Sequence, residues 1–254
     1  MPKIFSRYRD ELGVAAQPQE LNITSSRTAE HLHTSSAELE IREVEIKGNS
    51  LRARVSITNL AGHKLPSAYP SRRAWIHFAV YDGNDDLVFE SGGINPDGSI
   101  QGNDNDIDPN RFEPHYNEID NPGQVQIYEG ILAAPEDQVT TVLLSAIRYI
   151  KDNRLLPDGF DKATAEEDIA ANGAAVEDND FVGGSDRLNY SVSVKEHKGP
   201  FQVSVELWYQ PIGYRWAQNL KEQSAAEIDR FVSYYNEFSF TSGILLASER
   251  IEVK

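Results

Sequence analysis

The chain has 254 residues, of which 39% are hydrophobic, and its 40 acidic residues against 24 basic ones give a formal charge of −16. This charge disfavours a nucleic-acid or anionic-membrane partner, because phosphate groups would be repelled, and no run approaches the roughly 20 apolar residues of a membrane span. The chain contains no cysteine, which excludes disulfides, thiolate metal sites, a cysteine nucleophile and covalent haem attachment through C-x-x-C-H within it.

Residues 1–36 predict a helical lead-in to the rest of the chain. Residues 7–33 mix helix-forming residues with spaced Leu and Val and are interrupted near Gln17 and Pro18, which is typical of one or two helices. Residues 1–13 are charged throughout and lack an apolar stretch with a small-residue cleavage site. We therefore expect no export signal in them.

Two hairpins follow the lead-in. Glu38–Ile46 and Leu51–Ile57 alternate apolar and polar residues on either side of a Gly-Asn-Ser turn. Ala74–Tyr81 and Leu87–Phe89 are rich in β-branched and aromatic residues and are joined by an Asp/Gly/Asn-rich turn. Ser91–Gly123 loses this periodicity, which predicts a loop of about thirty residues, and loops of this length are usually functional or held by a ligand.

The second half of the chain continues the same pattern. Strand-like patterns occur at 125–133, 138–149, 188–194, 201–209 and 244–253, whereas 164–172 and 224–238 have helical patterns, the first with Thr164 as N-cap. These elements predict a mainly β fold, an antiparallel β-sandwich of immunoglobulin-like or jelly-roll-like type with a few short helices, covering residues 37–254. We expect a single soluble domain with long acidic loops.

A rigid corner between the two hairpins is the first candidate site. Gly62 allows a sharp turn and Pro66 fixes the loop, so that His63 stands on a rigid backbone. His63 either bonds a backbone carbonyl and stiffens the corner, or acts as a haem or metal ligand or a donor to a partner's cofactor. Arg72 and Arg73 either pair with nearby carboxylates or dock a carboxylate or haem propionate of a partner.

The long loop carries many oxygen ligands close together. Carboxylate and amide oxygens at this density suit Ca²⁺, which takes six to eight hard oxygen ligands, although the spacing is not that of an EF-hand. The alternative is that these residues form turns and face solvent. The candidate ligands are Asn95, Asp97, Asn103, Asp104, Asn105, Asp106, Asp108 and Glu113.

Two further groups have weaker functional interpretations. The acidic segment Glu177–Asp180 either adds ligands to the same ion or is a solvated loop. Trp208, Tyr209, Tyr214 and Trp216 either line a sugar or peptide groove or pack at a strand-to-helix junction. The sequence shows no G-x-S-x-G, H-E-x-x-H or phosphate-binding loop, so we expect no catalytic residues and no enzyme.

Nine segments of the chain resemble, in order, the haem-free β-rich region that follows the haem-binding segment of bacterial multihaem c-type cytochromes. The resemblance covers nearly the whole chain, and residues 6–12 resemble the stretch just after the haem motif. The segments are Gly62–Pro66, Tyr69–Trp75, Phe89–Gly92, Asn95–Ile100, Gly102–Asp106, Phe112–Tyr116, Gln124–Glu129, Lys151–Pro157 and Tyr209–Trp216.

This resemblance implies an accessory domain of an exported cytochrome. The domain would be non-catalytic, would pack on a haem domain or cytochrome partner, and would be periplasmic or extracellular, with haem c only in an upstream domain. The missing C-x-x-C-H motif leaves open whether the chain is part of a longer protein or a natural relative without haem. The alternative is an independent carbohydrate- or peptide-binding sandwich module. The oligomeric state is not predicted.

Overall fold

The computed structural model describes residues 2–254, and within them it is a mainly β fold with antiparallel sheets and a few short helices, as the sequence predicts. The helices are α1 Pro2–Arg7, α2 Pro18–Ser35, α3 Asp104–Ile107, α4 Tyr214–Leu220 and α5 Ala226–Phe238. The strands are β1 Ala37–Lys47, β2 Ser50–Asn59, β3 Arg73–Tyr81, β4 Leu87–Ser91, β5 Glu118–Ile119, β6 Ile127–Tyr128, β7 Gly130–Ala133, β8 Val139–Thr140, β9 Arg148–Asp152, β10 Ser185–Ser193, β11 Phe201–Gln210 and β12 Ile244–Val253.

The strands form two larger sheets and one small sheet. The first larger sheet has the order β1-β2-β10-β5, and the second has the order β12-β11-β3-β4 with β6 also paired to β3. The third sheet has the order β8-β7-β9. All pairings are antiparallel except the two-residue contact between β10 and β5.

The two larger sheets enclose one hydrophobic core, which gives a β-sandwich-like arrangement. Alternate residues of β2 and β10 on one side, and of β3 and β11 on the other, are buried in the same cluster. Phe78 of β3 stacks on Tyr190 of β10 with ring centroids 3.7 Å apart. Alternation along each strand therefore places one face of each sheet in the core, as the sequence pattern indicates.

The outer face of the second sheet is partly covered by the long loop. Trp75 of β3 lies with Ile100, Val125 and Ile127 in a smaller apolar cluster, and Trp208 of β11 packs against it. The loop is largely irregular, as predicted, apart from α3 and β5. Ile100 and Ile94 of the loop are therefore anchored on the sheet, whereas Ile107 is exposed.

The helices lie at the periphery of the sandwich. Helix α2 begins at Pro18, at the predicted interruption, and Leu32 packs against the main core. Helix α5 contacts the N-terminal segment, where Tyr8 stacks on Tyr234 with centroids 4.1 Å apart. No helix among residues 2–254 is both long enough and apolar enough to cross a membrane.

Two element predictions are wrong. Residues 164–172 form turns rather than a helix, because the Thr164 hydroxyl bonds the Asp161 carboxylate and Asn172 is drawn into a backbone bridge with Asp152. The predicted strand at 138–149 is divided into β8 and β9 by an exposed turn. At 164–172 the bridge to Asp152, which is distant in sequence, outweighs the helical pattern. At 138–149 solvent exposure outweighs the strand pattern.

Candidate functional site

The corner between β2 and β3, residues 59–72, is fixed by a buried asparagine. The Asn59 side-chain amide donates to the carbonyls of His63, Leu155 and Leu156 at 2.9, 3.0 and 3.1 Å. Its side-chain oxygen accepts the Ala61 N–H at 2.9 Å. The corner is therefore held to the segment after β9 and keeps one conformation, as Gly62 and Pro66 predict.

His63 is exposed at the tip of this corner. Its Nδ1 lies 3.0 Å from the backbone carbonyl of Lys64. Since a carbonyl can only accept, Nδ1 carries the proton of the neutral ring and Nε2 keeps its lone pair. This is the tautomer in which a histidine binds a metal or accepts from a cofactor through Nε2. Both sequence interpretations of His63, stiffening the corner and facing a ligand, are compatible with this geometry.

A cavity of about 430 Å³ opens beside the corner, between it and the end of α2. His31, His63, Arg72 and Tyr209 are among the residues that line it. Arg72 is half-buried and donates from Nη1 to the Ser67 carbonyl at 3.1 Å. Imidazole and guanidinium groups therefore line the cavity together, and both can bind an anionic or aromatic ligand.

The neighbouring Arg73 is buried and makes an ion pair inside the protein. Its Nη1 lies 2.8 and 3.0 Å from the two carboxylate oxygens of Asp106, its Nε donates to Gln210 at 2.9 Å and its Nη2 to the Gly98 carbonyl at 3.1 Å. Burial alone lowers the pKa of Arg73, but the Asp106 carboxylate raises it above the usual value. Asp106 also accepts the Ile100 N–H at 2.8 Å.

Helix α4 is bonded to both the long loop and the corner beside this ion pair. Arg215 of α4 donates to the backbone carbonyls of Asn105 and Asp106 at 2.8 and 2.9 Å. The Gly213 N–H donates to the Ser71 carbonyl at 2.7 Å. The corner, α3 and the start of α4 thus surround Arg73: its side chain ties the corner to the loop, and the bonds of Arg215 and Gly213 tie α4 to both.

The predicted calcium ligands of the long loop accept hydrogen bonds from the chain itself. Asp97 accepts from the N–H and hydroxyl of Ser99, Asn103 accepts the Asn105 N–H as the N-cap of α3, and Asp108 accepts the Asn110 N–H. These are the local bonds of turn-forming Asn and Asp residues.

The remaining candidates have partners too. Glu113 accepts the Asp104 N–H at 3.0 Å and the Tyr116 hydroxyl at 2.7 Å. The side-chain amides of Asn95 and Asn105 donate to the Ser99 hydroxyl and the Arg111 carbonyl, at 2.9 and 2.7 Å. Calcium binding stays untested, and of the two buried carboxylates of the loop Arg73 neutralises Asp106, whereas Glu113 has hydrogen bonds alone.

A buried polar network lies on the other side of the long loop. His115 is fully buried, with Nε2 3.0 Å from Asp178 Oδ2 and 3.8 Å from Asp186 Oδ1. On the other edge of the ring, Nδ1 lies 2.8 Å from Gln126 Nε2 and 3.1 Å from Asn153 Nδ2. The network joins the loop, β6, the end of β9 and β10 through one imidazole.

The two amides fix the protonation state of His115. The Gln126 side-chain oxygen accepts the Tyr116 N–H at 2.9 Å, and that of Asn153 accepts the Glu129 N–H at 3.0 Å. Both NH₂ groups must therefore donate to Nδ1, which places the imidazole proton on Nε2, facing Asp178. Burial lowers the pKa of His115 to about 4, so the ring is neutral at physiological pH.

This tautomer does not fit a metal centre. His115, Asp178 and Asp186 are the one group of three or more His, Asp or Glu residues in the described chain whose ligand atoms lie within 4.8 Å of one another. Binding a metal through Nε2 would move the proton to Nδ1, where it would face two N–H donors. These three residues therefore form a hydrogen-bonded structural centre rather than a metal site.

Asp186 is the second unusual member of the network. Tyr128 donates to its Oδ2 at 2.6 Å, and the Arg187 N–H donates to its Oδ1 at 2.8 Å. Burial raises the pKa of Asp186 to about 8, and the nearby carboxylates of Asp178 and Asp180 add to this effect. Asp186 is thus largely protonated at neutral pH.

Sequence patterns do not identify this network. The hydrogen-bond partners of His115 lie 11 to 63 residues away along the chain and belong to no spacing motif. Asp178 belongs to the acidic segment for which two interpretations were open, and it is buried, whereas Glu177 and Asn179 are exposed. The one available signal was residue type, because a histidine in a chain with many acidic residues often belongs to a buried polar centre.

The aromatic residues do not form one groove. Trp208 and Tyr209 are consecutive in β11 and therefore point to opposite faces of the sheet. Trp208 stacks on Trp75 with centroids 6.3 Å apart, whereas Tyr209 packs against the main core. Trp216 of α4 meets Tyr69 of the corner edge to face at 5.4 Å.

No family model and no curated protein matches the chain. Among solved structures, the chain is similar to a penta-heme cytochrome c552 from Thermochromatium tepidum, with a TM-score of 0.50 and 14% sequence identity. The superposition covers 89% of this chain and 41% of that chain. At this identity the likeness concerns the fold alone, and the chain corresponds to less than half of the cytochrome.

We predict that Arg73→Met lowers the free energy of unfolding by about 3–5 kcal/mol, because it leaves the Asp106 carboxylate buried and unpaired. The double variant Arg73→Met/Asp106→Asn should recover part of this loss by removing the charge. Arg111→Met, which breaks the exposed pair with Asp104, serves as control and should cost less than about 1 kcal/mol. Urea denaturation measures all three. A double variant no more stable than Arg73→Met would contradict the prediction.

A second prediction concerns pH. Between pH 6.5 and 8 an unfolded Asp186 has lost its proton while the folded one largely retains it, so stability should fall as pH rises, by up to about 1.4 kcal/mol per unit. His115 contributes a smaller slope of opposite sign near pH 6.5, where its unfolded state is still partly protonated, and this contribution fades as the pH rises toward 8. Asp186→Asn should flatten the slope, whereas the exposed Asp161→Asn should not. Equal slopes in Asp186→Asn and the parent chain would refute the assignment.

Proposed function

We propose that this chain is a non-catalytic interaction domain that packs against a haem-bearing domain of a multihaem c-type cytochrome. The observation that carries the proposal is the likeness of 89% of the chain to part of a penta-heme cytochrome c552. Since the chain has no cysteine, any covalently attached haem would belong to another polypeptide segment. The proposal implies a location outside the cytoplasm, as the sequence resemblance does.

The geometry of the corner supports this function. His63 is exposed, and its Nε2 lone pair is free of the backbone carbonyl that holds Nδ1. Arg72 lines the same cavity and offers a cation to a carboxylate or haem propionate. In the proposal, these two side chains face the cofactor or its surroundings in the partner.

The location of the acid and base groups supports a non-catalytic role. The side chains of His115, Asp178 and Asp186 are at most 1% exposed. A substrate cannot reach a centre closed on all sides without opening the fold. The exposed surface, with an overall formal charge of −16, favours a neutral or basic partner instead.

We expect the chain to bind a purified multihaem c-type cytochrome of its own organism, with its haems in place, in isothermal titration calorimetry at low salt. His63→Ala and Arg72→Ala should each weaken binding about tenfold, because each removes a central contact. His33→Ala removes an exposed histidine of α2 and should bind like the parent chain. Absence of binding to the cytochrome at about 100 μM would contradict the proposed function.

The calcium hypothesis has its own test. We expect the thermal midpoint of the chain to be the same in calcium and in chelator, because Asp106 is paired with Arg73 and Glu113 accepts three hydrogen bonds. A structural ion would instead raise the midpoint with calcium concentration, since a ligand of the folded state stabilises it by mass action. A calcium-dependent rise that is lost in Asp104→Asn would establish the site and overturn this expectation.

A further inference from the structure

The turn between β8 and β9 exposes a group of aliphatic side chains. Leu144 is 101% exposed, and Val142, Leu143 and Ile147 are between 44% and 64% exposed. No charged residue occurs between Asp137 and Arg148 in this highly acidic chain. Contiguous exposed apolar residues of this kind mark sites of protein association. We call Val142–Ile147 the apolar turn.

The apolar turn has a fixed backbone. The N–H groups of Ser145 and Ala146 donate to the Val142 carbonyl, and the Ile147 N–H donates to the Ala133 carbonyl of β7 at 2.9 Å. The Val142 N–H donates to the Thr140 hydroxyl at 3.1 Å. The turn is therefore ordered with its apolar side chains pointing away from the sheet, so that little conformational entropy is lost when a partner covers them.

The apolar turn continues through α4 to the corner. The Asn219 side chain donates to the Thr141 hydroxyl at 2.9 Å, which places the end of α4 beside the turn, and the next residue, Leu220, is 38% exposed. Leu220 and Trp216 are four residues apart and share one side of α4. Trp216 in turn contacts Tyr69 of the corner, which is half exposed.

We infer that these residues form one docking face, covered by the haem-bearing polypeptide. The inference rests on the proposed function and assigns its contact surface. The docking face consists of Tyr69, Trp216, Leu220, Val142, Leu143, Leu144 and Ile147.

Two observations favour a haem-bearing polypeptide as the molecule that covers the docking face. The docking face runs into the corner that carries His63, so a polypeptide that presents a haem to His63 extends over the face as well. A second copy of the chain is disfavoured, because it would bring two bodies of formal charge −16 together. The edge of a haem is apolar and bounded by propionates, which matches an apolar surface next to Arg72.

The test is titration of Leu144→Glu and Leu143→Glu with the same purified multihaem cytochrome. We expect each to weaken binding at least about 30-fold, because a carboxylate would be desolvated in the apolar contact. Thermal midpoints should not change, since both side chains are already exposed. Leu87→Glu is the matched control: Leu87 is 50% exposed but starts β4, beside the end of β3 remote from the corner, and its variant should bind normally.

The outcomes separate this inference from the proposed function. If His63→Ala weakens binding while both leucine variants bind like the parent chain, the docking face is wrong and the proposed function stands. If the parent chain does not bind the cytochrome, both fail. A concentration-dependent dimer in sedimentation that Leu144→Glu abolishes, or parent binding to phosphatidylcholine vesicles, would assign the face to another occupant and overturn the inference.

Discussion

The buried pair of Arg73 and Asp106 is the interaction on which the exterior of this protein depends. A charged guanidinium is buried here only because a carboxylate, a side-chain amide and a backbone carbonyl satisfy it together. Those partners come from the long loop and from β11, and Arg215 fastens α4 to the same loop. Breaking the pair would leave the loop without its main polar anchor. The loop would then shift against the corner, which stays joined to the start of α4 through the Gly213–Ser71 hydrogen bond, and this shift would alter the surface proposed to meet a partner.

The interior has a second polar centre with a different role. His115 bonds Gln126 just before β6 and Asn153 just after β9, which fix its neutral tautomer and make it unsuitable as a metal ligand. Its chemistry is therefore used to hold the fold. The features available to another molecule are at the surface. An exposed imidazole and an arginine line the corner cavity, and α4 contacts both the corner and the segment with the exposed apolar side chains. This division between a closed interior and an accessible surface is the basis of the interaction role proposed above.

The sequence predicts correctly those helices and strands that are specified by residues close together in the chain. Both hairpins, α5 and the closing strand follow from periodicity and turn residues, and the mainly β sandwich follows from them. The helix predicted at 164–172 failed because Asp161 and Asp152 compete for its residues from outside the segment. At the sites, His63 was identified because a rigid corner can be recognised from Gly62 and Pro66. The Arg73 pair with Asp106 and the environment of His115 depend on distant partners, which single-sequence patterns do not show. The apolar turn was taken for a strand, since exposure cannot be seen in an apolar run.

The central claim is that the corner, α4 and the apolar turn form one face that a haem-bearing partner covers. Hydrogen–deuterium exchange of the chain, alone and with the multihaem cytochrome, tests it most directly, because exposed amides slow their exchange when a partner excludes water. We predict slower exchange in 62–72, 141–147 and 214–220 and unchanged exchange in the 82–86 turn at the opposite end of β3. Slower exchange confined to the 82–86 turn and the β1–β2 hairpin, with the three segments unchanged, would contradict the account.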